Sequence, residues 1–580
     1  MKLVAEQLKG LIHAAVLAAQ RAGELPLFAM PEITVERPKR ADQGDWATPW
    51  ALSAVRAVNE VRLATGQPKL APLQIAQAIA NQIVSQASPL LAHVTAAPPG
   101  FVNFTLAHAW LVSQITAIRA AGEAWATLDV GGHQPLQVEF VSANPTGPIH
   151  FGTARNAVYG DTLANVLQAV GYTVQREFYV NDAGSQIRKF GASLLARYAQ
   201  ALGEPMEVPE GGYQGNYLAD WGRDLAQRYG RTYLEMSGDE AVTALTDIAL
   251  NMALDLARSD LARLNVHFDR WFSEKSLYDD NTFTLIYRIL EDAGLLFERD
   301  GAIWFAASQF PGNEKDEVVV RRSGEPTYLA SDMAYHYDKF VRRGFARVVD
   351  VWAIDHQGHV PRMHAVMAAF GLDPKRLDIA LYALVKLKRG GEEVKLSKRA
   401  GDIVTMADVI DEVGADAVRF MLLTRAAESE MEFDLQLATE QNNENPVFYV
   451  QYAHARISSI VRHARDKFAA AALDVDGLLA ADGADLVLLH HPAEMALLRK
   501  MLELPEVILL AAQFLAPHHL THYAQELASA FHAFYRDCRV VDTDPAQLPL
   551  SRARLQLVDA CRLTLARTLH LMGMSAPEQM

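Results

Sequence analysis

The chain has 580 residues, half of them apolar and 21% charged, the profile of a water-soluble globular protein with room for about two to four domains. Lys and Arg number 54 against 69 Asp and Glu, and the net charge of −15 excludes a protein that coats nucleic acid through bulk positive charge, though not one with a local basic face. Cys538 and Cys561 are too few for a disulfide framework or a cysteine-built zinc site, and both read as buried structural thiols in helix-like sequence.

Met1–Arg21 carries Leu3, Leu8, Leu11, Ile12, Val16 and Leu17 at helical spacing, interrupted by Glu6, Lys9 and His13. That is an amphipathic surface helix rather than a signal peptide. Phe101–Leu106, after Pro98-Pro99-Gly100, is an extended segment in an otherwise helix-like first region. From 126 to 425, β-branched runs at Leu136–Phe140, Thr173–Val180, Glu317–Arg321, Val348–Trp352 and Ile379–Leu387 alternate with helices. The alternation predicts a parallel sheet with crossover helices. Arg188–Arg263 is helical in period and reads as an insertion between the sheet halves. From about 426 onward the helical spacing predicts an α-helical bundle, with Asp474–Asp485 an exposed inter-helix loop. The longest apolar run, Val507–Ala516, includes Gln513 and is too short to cross a bilayer, so a cytoplasmic protein is expected.

Two short segments stand out chemically. Pro148-Ile149-His150-Phe151-Gly152-Thr153 follows the strand Leu136–Phe140 and its loop, and Ala154–Val170 continues as a helix. Open α/β sheets bind ligands where strands end and helices begin. Gly152 lets a purine stack against bare backbone, and His150 can donate to charge developing on a phosphate. A lone histidine before glycine is also an ordinary turn residue bonded to its own backbone. Far along the chain, Lys395-Leu396-Ser397-Lys398-Arg399 is a cation-rich loop, preceded by Gly390-Gly391 and followed by Gly401. Lys395 and Lys398 can close on a triphosphate, with Ser397 adding a hydroxyl. Taken alone, such a loop is equally a solvated surface turn.

On these residues the chain resembles a class I aminoacyl-tRNA synthetase, His150–Thr153 matching the HIGH segment and Lys395–Arg399 the KMSKR loop. It is more specifically similar to arginyl-tRNA synthetases in Val138–Pro148, Tyr179–Gly184, Pro326-Thr327-Tyr328, Ser331–His336, Asp355-His356 with Gly358, and above all Asn445–Arg456. Ala576–Met580 resembles that family's terminus, and Gly44–Thr48 with Pro99–Phe104 its extra N-terminal domain. Thr153 replaces the usual second His, Ala353-Ile354 replaces a Gly-Ala pair, and Lys395 is present where many relatives lack it.

The resemblance implies a multidomain α/β fold. An α+β additional tRNA-binding domain would cover 1–125, and a Rossmann-like parallel-sheet catalytic domain 126–425, with its helical insertion near 188–263. An α-helical anticodon-binding bundle would cover 426–580. It implies ATP-dependent ligation of L-arginine to tRNA(Arg) through an arginyl-adenylate, with Mg²⁺ carried by ATP and no protein-bound zinc or other metal. It assigns catalysis to His150, Lys395 and Lys398, and ATP binding to those residues with Gly147, Pro148, Gly152, Thr153 and Ser397.

A guanidinium is a planar fork of donors best held by carboxylates, and Glu139 and Asp332 lie where they can face one pocket. The resemblance puts both in the arginine site, with Tyr328 along the side chain and Asn144, His150 and His356 completing it. The plain alternative for Asp332 is the cap of a helix Met333–Phe340. Tyr449 and Tyr452, three apart, suit core packing, and the resemblance gives Tyr452, Arg456 and Met580 to tRNA. Arg462, Arg465 and Lys467 either meet the RNA backbone or form a solvated face. A monomer is expected, and the competing readings are another class I synthetase or a non-catalytic paralogue.

Overall fold

A computed structural model of the chain describes residues 2–394, 404–471, 473 and 484–580. The segment Lys395–Arg399, and all but the last two residues of the loop expected at Asp474–Asp485, lie outside the described residues. At the centre is a five-stranded parallel sheet of Pro135–Glu139, Thr173–Val180, Arg270–Ser273, Arg347–Ala353 and Leu377–Tyr382. Numbered along the chain, these strands lie in the order 5-4-1-2-3, and the winding reverses between the first and the fourth. Leu136, Val138, Val348 and Val349 are fully buried, as in a sheet covered on both faces. The helix Ala154–Ala169 crosses the first, second and fourth strands. It lies close because Gly160 meets the Phe140 side chain, where a Cβ would come within 2.3 Å.

Two strands differ from expectation. Glu317–Val320 belongs to a separate antiparallel sheet with Leu296–Arg299 and Ala302–Phe305. Periodicity marks an extended segment but not its partner. The run Ile379–Leu387 is two strands. Leu377–Tyr382 closes the main sheet, while Val385–Arg389 pairs in parallel with Met431–Asp434 and antiparallel with Glu392–Glu393, the exposed Leu384 marking the break.

The N-terminal region packs the helices Val4–Arg21, Trp50–Ala64 and Pro72–Ser85 with a sheet in which Phe101–Leu106 is the central strand between Trp46–Thr48 and Leu91–Ala97. The insertion is helical, in Ser185–Ala201, Asn216–Tyr229 and Gly238–Arg263, around its own core of Phe190, Leu194, Tyr198 and Leu245. The C-terminal region is a helical bundle including Pro446–Ala470, His518–Asp537 and Leu548–Leu571, with Cys538 and Cys561 buried as free thiols. The N-terminal region docks on this bundle through Arg37–Glu506 at 3.0 Å, Arg119–Asp559 at 2.8 Å and a His108 Nε2–Leu489 carbonyl bond at 2.8 Å.

Candidate active site

The chain leaves the first sheet strand through Val141 and Ser142, both in the left-handed region at φ +67° and +41°. For a β-branched residue this costs roughly 1–3 kcal/mol. Asn156 holds it there, its Oδ1 accepting from Val141 N at 2.6 Å while its Nδ2 donates to the Val351 carbonyl at 3.1 Å. One buried amide thereby spans the first and fourth strands at the reversal of winding, the place where such sheets take their ligands.

His150 caps the short 3₁₀ turn Phe151–Thr153, its Nδ1 accepting from Gly152 N at 2.9 Å. The turn-residue reading is therefore correct as geometry, and it has a chemical consequence. With Nδ1 accepting, a neutral ring carries its proton on Nε2, which has no hydrogen-bond partner among the described residues. Gly147, at φ +147°, meets Tyr217 of the insertion, where a Cβ would come within 2.8 Å of the ring. The Tyr217 hydroxyl donates to the Thr146 carbonyl at 2.6 Å and closes the insertion onto this turn. Pro148, Gly152 and Thr153 are half-buried along it, and Thr153 N donates to the His150 carbonyl at 2.9 Å.

Lys395, Ser397 and Lys398 lie outside the described residues, but the chain on either side is tied down. Val394 N donates to Leu387 O at 2.8 Å, Phe151 N to Val404 O at 3.1 Å, and Met406 N to Ile149 O at 2.8 Å. Residues 404–406 are thus stitched directly to the His150 turn. Arg155, 1% exposed, reinforces the link from the helix that follows. Its guanidinium donates to the carbonyls of Ala383 at 2.7 Å, Ser429 at 2.8 Å and Ala426 at 2.9 Å. Burial pushes it down to about 10, so it stays charged at neutral pH.

Asp332 is not a helix cap. The helix runs Tyr328–Tyr337 with Thr327 at its N-cap, so Asp332 sits inside it and continues into a π-helical turn at Asp338–Arg342. Burial, with negative Glu139 and Asp350 nearby, pushes Asp332 up to about 7 against the pull of His336 and Lys339. Glu139 does not stand open. Lys339, fully buried, donates to Glu139 Oε2 at 2.6 Å and to Asp350 Oδ1 at 2.8 Å, and Ser142 Oγ donates to Glu139 Oε1 at 2.9 Å. His336 Nε2 bonds Asp350 Oδ2 at 2.8 Å, and its Nδ1 bonds the Asp332 carbonyl at 2.8 Å. Burial opposes ionisation of Asp350, but Lys339 and His336 outweigh it and hold the carboxyl down at about 2. Glu139 is raised, burial outweighing Lys339.

Glu274, 5% exposed, is also raised by burial and accepts from the hydroxyls of Ser331 and Tyr179. Tyr179 is raised by burial and then by the carboxyls of Glu274, Asp332 and Glu139. At the rim, Tyr328 is 69% exposed, Asn144 is exposed with Asn181 Nδ2 donating to its Oδ1 at 3.3 Å, and His356 is exposed in the turn after the fourth strand. Sequence reasoning missed Glu274, His336, Lys339 and Asp350. Asp350 left a signal as a charge inside the apolar run Val348–Val351, and His336 as the last residue of the matched segment Ser331–His336.

In the bundle, the two tyrosines separate. The Tyr449 hydroxyl meets Ser529 Oγ at 3.0 Å and its ring lies 5.1 Å from His532, so it packs against the neighbouring helix. Tyr452 stacks on Phe448 at 5.7 Å and accepts from Arg456 Nη1 at 2.7 Å. Tyr452, Arg456 and Met580 line one groove of about 560 Å³ with Arg462, His463 and Tyr535.

Residues 114–431 match the model of class I tRNA synthetase catalytic domains of the arginine type (R). Residues 6–106 match the arginyl-tRNA synthetase N-terminal domain and 450–580 the DALR anticodon-binding domain. An arginine–tRNA ligase of Dehalococcoides mccartyi is 48% identical over 562 residues, 97% of this chain and 96% of the relative. That of Moorella thermoacetica is 45% identical over 567 residues, 98% and 97% of the two chains. The solved arginyl-tRNA synthetase of Thermus thermophilus shares the fold over the whole of both chains, with a TM-score of 0.74 at 21% identity. The chain belongs to the arginyl-tRNA synthetase family.

Proposed function

We propose that this enzyme activates arginine at the His150 turn, with the guanidinium held by the carboxylates around Asp332. The enzyme is an arginine–tRNA ligase, joining L-arginine to its tRNA at the expense of ATP. Arginine's carboxylate attacks the α-phosphate of ATP in line, forming the arginyl-adenylate as the bond to pyrophosphate breaks. The 2′-hydroxyl of the tRNA's terminal adenosine then attacks the acyl carbonyl and AMP leaves. ATP brings its own Mg²⁺ and lies against Gly147, Pro148, Gly152 and Thr153. His150, through its Nε2–H, and Lys395, Ser397 and Lys398 meet the charge that develops on the phosphates. Asp332 and Glu139 take the guanidinium, Tyr328 packs along the side chain, and Asn144, His150 and His356 hold the amino-acid end. Tyr452, Arg456 and Met580 form the surface for the anticodon arm, and the enzyme acts as a cytosolic monomer. Among the described residues no helix is long and apolar enough to cross a membrane.

The single observation that carries the reading of the catalytic turn is the Gly152 N–His150 Nδ1 bond at 2.9 Å, which frees the opposite ring nitrogen as a donor. Aminoacylation of total tRNA with each amino acid in turn tests the function; lysine, glutamine or cysteine as the best substrate overturns it. His150→Gln lowers the rate of ATP–pyrophosphate exchange by roughly 10²–10³. An exchange rate within a few-fold of wild type would remove His150 from the chemistry.

The raised Asp332 makes arginine binding pH-dependent. In the empty site the carboxyl is protonated below about 7, and a guanidinium needs it ionised. Arginine affinity is therefore flat above that pH and falls by about tenfold per pH unit below it. Calorimetry in buffers of different ionisation enthalpy detects the accompanying proton release; binding without proton release just below neutral pH contradicts the assignment.

A further inference from the structure

A second cavity, of about 380 Å³, opens where the helix His108–Ala121 of the N-terminal region meets Pro446–Ala470 and Leu548–Leu571 of the bundle. Its walls carry the guanidiniums of Arg119, Arg462, Arg465 and Arg562 against the carboxylates of Asp559 and Glu578, an excess of two positive charges in a chain of net charge −15. Asp559 is shared. Arg119 Nε donates to its Oδ2 at 2.8 Å and Arg562 Nη2 to its Oδ1 at 2.9 Å. Arg462 leans on the Glu578 carbonyl at 3.0 Å, and Arg465 is exposed with no ion pair among the described residues. Ser458, 4% exposed, forms part of the wall, and its Oγ has no partner among the described residues. Arg462 and Glu578 also line the groove of Tyr452, Arg456 and Met580, so the cavity continues that groove toward the N-terminal region.

Arginine forks recognise phosphate through paired donors, and an orphan hydroxyl beside them can donate to a third oxygen. We infer that this cavity is a binding site for a backbone phosphate of the tRNA, with Asp559 holding Arg119 and Arg562 in place until a phosphodiester competes for them. The inference rests on the tRNA-ligase reading above. Such a contact positions the RNA without reading its sequence.

The test measures tRNA affinity of the full-length enzyme at several salt concentrations. Arg465→Ala flattens the slope of log affinity against log salt by roughly 0.7–0.9, and weakens cognate and anticodon-substituted tRNA by the same factor. Asp559→Asn removes the internal competitor and tightens tRNA binding by about threefold or more. A purely structural ion pair predicts the opposite for Asp559→Asn, and an unchanged slope in Arg465→Ala overturns the site. Inorganic phosphate serves as the free-anion probe. If it stabilises Asp559→Asn more than wild type while tRNA affinity stays unaltered, the cavity takes a free anion and the RNA assignment falls. Wild-type charging with arginine separates the two readings: without it the ligase reading fails, and with it an unchanged slope removes this site alone.

Discussion

Replacing Asp332 by Asn lowers kcat/KM for arginine by more than roughly a hundredfold, because a desolvated guanidinium left without its charged partner loses about 3 kcal/mol or more. The KM for ATP and the affinity for tRNA stay near wild type, since the proposed arginine site gives this carboxylate to the guanidinium alone. The substitution has a second, opposite effect on the empty enzyme. Burial raises Asp332 from its ordinary 3.8 to about 7, so between those values the folded state holds a proton that the unfolded state has released. Wild-type stability therefore falls as pH rises through that window, and Asp332→Asn removes that contribution to the slope. A variant with kcat/KM within about fivefold of wild type would take Asp332 out of the arginine site.

Lys339→Met destabilises the catalytic domain by about 3–5 kcal/mol at neutral pH, because it leaves Glu139 and Asp350 buried without their shared cation. Both carboxyls then rise, so the loss shrinks as the pH is lowered and they take up protons. Denaturant midpoints at neutral and acid pH measure the difference. An unaltered midpoint at neutral pH would mean that the ammonium contributes nothing net, its desolvation offsetting its two ion pairs at 2.6 and 2.8 Å.

These two residues mark what could and could not be read in the chain. Asp332 was visible as a carboxylate suited to a guanidinium, although its place inside the helix rather than at its cap was not, because Thr327, five positions before the expected cap, is a capping-type residue too. Lys339 was invisible. A lysine on a helix is ordinary surface until the fold brings it between two strand residues, here the nearby Asp350 and Glu139, which lies 200 positions away. The central sheet was legible because β-branched and other apolar residues recur in most of its strands, yet the four-residue strand Arg270–Ser273 was too short to show a pattern. Ile379–Leu387 looked continuous because Ala383 and Leu384, which separate its two strands, are themselves apolar. His150 was the reverse case: its functional and plain readings were set against each other in the sequence, and one hydrogen bond satisfies both.

Arg155 has an evolutionary consequence. All three groups it holds are main-chain carbonyls, and every residue type that could stand at 383, 426 or 429 supplies the same oxygen. Change at those positions therefore exerts no pressure on the arginine, and no substitution there can compensate for its loss. A survey of paired substitutions among relatives would find Arg155 silent, invariant without a correlated partner, although it fastens the helix after the His150 turn to two distant stretches of chain. Statistical coupling would overlook this joint, and only its direct replacement would reveal it.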